Sequence, residues 1–529
     1  MSFSNNSSPA AQLDKGFATL NQREKSYSQI VKSSVLIGGS SVLNIGFGII
    51  RTKAMALLLG PSGYGLLGIY DSICTLTRTV AGMGINTSGV RQIAEAVGTG
   101  DNHRIACTVI TLRRVAFYSG ALGALLLLVF SKPLSLLTFG DSRHAAAIAL
   151  LSLAAFFGDI SGGQGAVVQG MRRIADLARM SVLGALYGTV FSIVIIYIYH
   201  QHGVAEQGVV PVLVCVAAMG ILTSWWYARK VKVESVRVAL PQFIKETAAL
   251  LKLGIVLMAS VLMTFVSGYL IRILALRGLS IEAAGFYQAA WTLGGLYVTI
   301  ILQAMGTDFY PRLTAVAKQD EETNQLVNEQ AEVGLLAACP GILATLAFAP
   351  LVIQLFYSAK FWPAMEILRW FCLGMMLRVA SWPMGFILLA RGEGKLFFWT
   401  ELLTNLVSIG LTWIGIKFFA LKGIGMAFFI TYVVYIILIY GVVHRLCGFR
   451  WSKANGRLGL LFIPLIAVVF ASWYFLPRWA STTLGAISAV LAGFYSIKTL
   501  CALLPVERFP GFARKLMAFF RLTPPKGEA

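Results

Sequence analysis

The hydrophobic positions of this chain come in long unbroken runs, separated by short stretches where Gly, Pro, Arg and Lys gather. About twenty apolar residues per run match the ~30 Å hydrocarbon thickness of a bilayer at the helical rise. On that basis fourteen segments are expected, near residues 30–58, 65–95, 108–131, 145–169, 177–199, 208–228, 247–276, 283–310, 331–357, 363–389, 396–419, 422–443, 458–477 and 482–504. Several are long enough to tilt or to project beyond the bilayer. The runs are flanked by Gly and Pro and show no ten-residue alternation, so helices are expected and not a barrel. Residues 1–29 are polar and lack the apolar core and cleavage site of a signal peptide, which makes the first span its own uncleaved insertion signal.

Spacing within these runs repeats. Arg51 and Arg91 are 40 residues apart, as are Arg272 and Arg312, a shift of 221. Between each pair lies a glycine turn into an apolar helix, GYGLLGIY at 63–70 and AAGFYQAA at 283–290, and QGMRRIADL at 169–177 answers ARGEGKLFF at 390–398. Six spans per unit is an even number, so the halves are expected as parallel repeats about an axis along the membrane normal. The reading is an all-α polytopic protein of about fourteen spans, organised as two six-helix lobes and two further helices. Its expected parts are a cytoplasmic segment 1–29, an N-lobe 30–228, a basic linker 229–246, a C-lobe 247–445, helices thirteen and fourteen in 446–504, and a basic cytoplasmic tail 505–529.

Composition strengthens this picture. The chain is 57% hydrophobic and 13% charged, with mean hydropathy +0.74, whereas soluble domains carry about 25% charge. The net charge of +21 reads as topology and not as nucleic-acid binding. Alternate loops hold 20 Lys and Arg against seven in the other set, which puts the richer loops and both termini in the cytoplasm. The seven cysteines are scattered, mostly in apolar runs and without a CxxC pair, and read as small core residues. No metal site or cofactor is expected, and with no GxxxxGK[ST] stretch there is no built-in ATPase.

The spans nevertheless carry charge. Arg51 lies nine residues before Gly60, ~13 Å down its helix, and Arg78 thirteen residues after Gly65, ~20 Å down the next. A cation at bilayer depth costs about 2.5–3.5 kcal/mol on insertion scales, so such residues face a protein interior or a watery path. Arg51 and Lys53 point about 200° apart, and Arg51 is the one expected in the cavity. Together with Arg78, Arg272 and Arg378 it forms a set suited to phosphate or pyrophosphate, which guanidinium groups bind through paired, charge-assisted hydrogen bonds. Arg91 and Arg312 are expected at the cytoplasmic entrance. Asp71, Asp159, Asp308 and Glu401 are candidates for ion coupling, each with the alternative of serving as an arginine's counter-ion. Arg369 is read as a local pair with Glu366.

The runs RTKAMALLLGPSGYGLLGIYDSI at 51–73, MGINTSGVRQIAEA at 83–96 and QGMRRIADLARMSVL at 169–183 resemble the bacterial oligosaccharide flippases of the multidrug/oligosaccharidyl-lipid/polysaccharide exporter (MOP) superfamily. The resemblance covers about residues 28–445. It implies a two-lobed inner-membrane transporter, not an enzyme, that moves an undecaprenyl-pyrophosphate-linked glycan to the periplasmic leaflet by alternating access, for O-antigen or exopolysaccharide assembly. Lipid II flippases of the same superfamily carry cavity arginines in motifs that match Arg51 and Arg78. Implied partners are the lipid-linked glycan, membrane lipids, a polysaccharide polymerase and a chain-length regulator, with no nucleic acid. Two rivals stand beside this reading: a multidrug cation antiporter of the same superfamily and a membrane-embedded polysaccharide polymerase.

Overall fold

A computed structural model describes residues 9–234 and 236–503, so the basic tail lies outside the described residues. Helices account for nearly all of it, and no strand occurs among the described residues. In order they are α1 (Pro9–Gly82), α2 (Ile85–Thr99), α3 (Asn102–Val129), α4 (Ser131–Phe139), α5 (Ala145–Gly170), α6 (Ile174–Gln201) and α7 (Val209–Ala228). The second series is α8 (Leu240–Gly278), α9 (Ile281–Val316), α10 (Asp320–Ala347), α11 (Ala349–Phe356), α12 (Ala364–Ala390) and α13 (Gly394–Cys447), followed by α14 (Lys453–Phe475) and α15 (Arg478–Leu503).

Among the described residues eleven helices are long and apolar enough to cross a membrane, or twelve if the bent α9 counts as one span. The count of fourteen read from the sequence differs because it divides α1 and α13. Each of these is two helices joined at one residue of non-helical backbone, Gly60 (φ 66°) in α1 and Ala420 (φ 49°) in α13. At Gly60 the left-handed φ suits a residue without Cβ, and Pro61 then starts the next helix with its preset φ. At Ala420 the chain reverses: Gly415 and Gly423, ~12 Å apart along a straight helix, are in backbone contact.

The element order doubles. Helix α3, short α4, α5 and α6 recur as α10, short α11, α12 and the first half of α13, with α3 and α10 both 28 residues long. The turns after α5 and α12 both use a left-handed residue, Arg172 (φ 56°) and Gly392 (φ 77°).

The two series meet along a seam with matching contacts. A Cβ on Gly65 would lie 2.3 Å from the carbonyl oxygen of Ile281, and one on Gly285 would lie 2.0 Å from that of Pro61. Partner and target are each four residues apart, so one contact is the other carried through a shift of 220. Two cations add to it on the same face. Lys53 donates to the carbonyls of Gln354 and Tyr357 at the end of α11, and Arg277 donates to those of Leu136 and Thr138 at the end of α4. Each completes the exposed carbonyls of a short helix in the other series, where a helix dipole favours positive charge. At the opposite face Gly84 and Gly254 meet, each with a Cβ position 2.3 Å from a carbonyl oxygen of the other strand of the seam.

Helices α14 and α15 pack on α10. Asn328 of α10 receives the amide N–H of Ser452 and the side chain of Asn455, and itself donates to the carbonyl of Arg450. Arg369 corrects the sequence reading: it is 1% exposed and makes no pair with Glu366, which instead lies 3.4 Å from Lys422. Its guanidinium donates to the carbonyls of Leu346 (3.1 Å) and Phe470 (2.7 Å) and lies over the rings of Phe470 and Trp473. The i−3 spacing was compatible with a local pair, but the side chain turns inward to clamp α14. Arg369→Leu therefore leaves the Leu346 carbonyl without a donor, because Pro350 four residues on has no N–H, at about 1–3 kcal/mol, and removes the charged second bond to the Phe470 carbonyl, which keeps its place in the ladder of α14. A clear fall in the thermal midpoint of the purified protein is expected, and protease nicking between 448 and 452 should rise. An unchanged midpoint would remove the clamp.

Candidate functional site

The second half of α1 carries Asp71, Thr75 and Arg78 at spacings of four and three, hence on one face. That face looks across the seam. Asp71 and Thr75 line a cavity of about 390 Å³ whose other walls are α8, α9, α12 and both halves of α13. Arg272, Arg378 and Glu401 line it as well, so four of the residues read from the sequence share one cavity.

Arg272 is held by a neutral group. Its Nε and Nη2 donate to the Oε1 of Gln288 at 3.0 and 2.7 Å, its Nη1 to the carbonyl of Gly268 at 2.9 Å, and it lies over Tyr287. Gln288 in turn fills the space left by Gly68, which pins the arginine to the seam. Arg378 has the sulfur of Met375 at 3.9 Å. Among the described residues neither arginine has a carboxylate within ion-pair distance. Asp71 is exposed to the cavity, and the charges that act on it are Arg272, then Arg51, then Arg78. The arrangement is a row of guanidinium groups with unused donors and only loosely placed acids.

Arg78 belongs to a second cleft of about 270 Å³ that joins the first at Thr75 and opens toward the Gly84 face. Its Nε donates to Asp159 Oδ1 at 3.1 Å, and Gly158 leaves room for the guanidinium. Asp159 is 4% exposed and its second oxygen has no hydrogen-bond partner. Arg51 is half-buried and lines neither cavity, although its charge reaches Asp71. Lys53 points away to α11, as its angular offset requires. Asp308 is not brought to the site: its side chain is 77% exposed and receives Arg312 at 3.2 Å, one turn along α9. Arg91 is likewise exposed and pairs with Glu95 at 2.8 Å on α2.

Sequence reasoning missed the larger part of the lining. Thr404, Asn405, Ser408 and Thr412 continue from Glu401, the one member read from the sequence, as a polar stripe at i, i+3, i+4, i+7 and i+11 on the first half of α13. Across from it stand Trp291, Trp382, Phe428, Tyr432 and Tyr435. The stripe was visible as a helical period inside an apolar run, but serines and threonines in a span also satisfy themselves on the preceding turn, as Thr404 and Thr412 do here.

A family described as polysaccharide biosynthesis proteins matches residues 54–366. The lipid III flippases of Escherichia coli (strain K12) and Shigella flexneri are each 23% identical over 424 residues, covering 78% of this chain and 98% of theirs. Among solved structures, an inward-facing multidrug resistance MATE family transporter of the MOP superfamily superposes with a TM-score of 0.63 at 15% identity, over 78% of this chain and 94% of that one. The lipid II flippase MurJ in an inward closed conformation gives 0.61 at 13% identity, over 89% and 99%. The fold is thus that of these transporters, and with more than half its length matched, the chain belongs to the polysaccharide biosynthesis protein family.

Proposed function

We propose that the protein is a flippase for lipid-linked oligosaccharide, carrying undecaprenyl-pyrophosphate-linked repeat units from the cytoplasmic to the periplasmic leaflet of the bacterial inner membrane. The observation that carries this reading is the cavity itself. Arg272 and Arg378 keep unused donors at bilayer depth beside an aromatic and hydroxyl lining, which is the chemistry of a phosphorylated sugar and poor chemistry for a cationic drug. The relatives that span nearly all of their length on this chain are named as lipid III flippases, which agrees.

In this reading the Gly84 face is cytoplasmic, because the Lys- and Arg-rich turns lie there, and both termini follow. The diphosphate passes Arg91 and Arg312, meets Arg78 in the second cleft and is received at Arg272, with Arg51 adding long-range attraction. The prenyl chain stays in lipid, so its apolar surface is not moved into water. The Gly84–Gly254 and Gly65–Gly285 contacts bracket the cavity and serve as its inner and outer closures, broken one at a time. Repeat units for O-antigen or exopolysaccharide are the cargo, with the polymerase and chain-length regulator acting downstream. Asp71, Asp159 and Glu401 supply the coupling charge, since a carboxylate that gains or loses its proton changes how tightly the neighbouring arginines hold an anion.

The test is complementation of a strain lacking its own repeat-unit flippase, followed by transport in vesicles. Restored surface glycan and movement of lipid-linked sugar without new bond formation support the reading. Dye efflux without glycan movement would favour the antiporter, and chain growth on purified protein would favour the polymerase. Vesicle transport indifferent to proton and sodium gradients would end the coupling proposal alone.

A further inference from the structure

The stripe and the aromatic wall face each other along α13, and apart from Glu401 nothing in the handling of a diphosphate needs them. From Glu401 to Thr412 the stripe runs eleven residues, ~16 Å along the helix axis. Its chemistry is one carboxylate, one amide and three hydroxyls. The remaining faces of the same half-helix turn out: Leu403 is 47%, Leu406 58% and Trp413 57% exposed, as suits lipid. A span that is apolar toward lipid and polar toward an internal cavity keeps those polar groups where a ligand can use them.

Opposite the stripe, the rings of Tyr432 and Phe428 lie 4.9 Å apart and Tyr432 and Tyr435 6.1 Å apart, a continuous surface down the second half of α13. Sugar rings are amphipathic in the matching sense. Their hydroxyl edges need donors and acceptors, while their C–H faces stack on aromatic side chains. Arg378 and Glu401 both line this space, so it holds a donor and an acceptor as well as hydroxyls and rings. Diphosphate and sugar would then occupy different parts of one cavity. Arg272 is six residues from the Gly60-face end of α8 and Arg378 fourteen from that end of α12, a difference in depth of ~12 Å.

We infer that the α13 stripe with its aromatic wall is the glycan subsite, and that it sets which lipid-linked oligosaccharides are accepted. This rests on the flippase reading and adds to it that affinity is divided. Arg272 and its neighbours hold the diphosphate whatever sugar it bears, and the residues from Glu401 to Ser408, with Tyr432 and Trp382, read the sugar.

The experiment uses purified full-length protein and two probes. One is undecaprenyl pyrophosphate. The other is the lipid-linked oligosaccharide that accumulates in the source bacterium once this gene is deleted. Wild type is expected to bind the second more tightly. Ser408→Leu, which fills the stripe with a side chain that suits a membrane helix, and Tyr432→Ala should each erase about tenfold of that preference, equivalent to ~1.4 kcal/mol, and leave undecaprenyl pyrophosphate binding unchanged. Tyr432→Phe, which keeps the ring, should retain most of the preference and serves as the folding control. Equal binding of the two probes by wild type, or a preference untouched in both disruptive variants, overturns the glycan subsite while the flippase stands. Wild type that binds neither probe brings down the flippase reading, and the subsite with it.

Discussion

Cells that depend on the Arg272→Ala variant are expected to lose surface glycan and to accumulate lipid-linked repeat units inside, with transport down by about tenfold to a hundredfold at matched membrane levels. The magnitude follows from what the side chain does. A hydrogen bond to a charged group contributes about 1.5–3 kcal/mol, which is one to two powers of ten in affinity. Arg272 is preset by Gln288 and Gly268 and spends no donor on a carboxylate, so its remaining capacity is available to an anion. Arg272→Lys should fall between wild type and alanine, because it keeps the charge and loses the planar fork. Arg51→Ala should cost less, since Arg51 lines neither cavity and acts only through its field. Arg78→Ala needs a partner substitution to be interpretable: alone it strands Asp159 buried and unpaired, so Arg78→Ala with Asp159→Asn is the informative variant. If Arg272→Ala transports like wild type, the diphosphate is held elsewhere.

How much of this was legible from the chain depended on which signals are local. Charge in an apolar run is visible one residue at a time, so Asp71, Arg78, Asp159, Arg272, Arg378 and Glu401 could be picked out, and all of them line one of the two cavities. Direction is harder. Asp308 sits in the same kind of run yet faces out, because α9 bends by 51° near that point and a sequence period assumes a straight helix. Arg369 looked like half of a surface pair because Glu366 is one turn away, and only the fold reveals that two carbonyls from α10 and α14 converge on it. Beyond Glu401, the polar stripe of α13 fell below notice for the opposite reason: its residues are ordinary ones, and their meaning comes from the aromatic wall that folding sets against them. The glycine landmarks were seen as markers of a repeat, but that Gly65 and Gly285 touch each other is a fact of packing between distant segments.

That contact yields the second large effect. Gly285→Leu is expected to abolish transport and leave the cavity open on the Gly60 face, while Gly254→Leu abolishes it with the opposite face open. At Gly285 a Cβ would sit 2.0 Å from the Pro61 carbonyl, and at Gly254 one would sit 2.3 Å from that of Met83. Both obstacles are backbone, which cannot rotate aside as a side chain can, so the only relief is separation of the seam. Thr75 lines both cavities and is therefore a suitable reporter. With the seven native cysteines replaced and Thr75→Cys introduced, a membrane-impermeant thiol reagent should label Gly285→Leu from outside intact cells. It should label Gly254→Leu only in inverted vesicles. Gly48→Ala is the matched control: its added Cβ meets nothing within 4 Å, so labelling and transport should stay near wild type. The same labelling pattern in Gly285→Leu and Gly254→Leu would mean that the two glycine contacts do not close opposite faces. The reciprocal contacts through a shift of 220 would then hold the halves together permanently, and the movement that releases substrate would have to occur within a half.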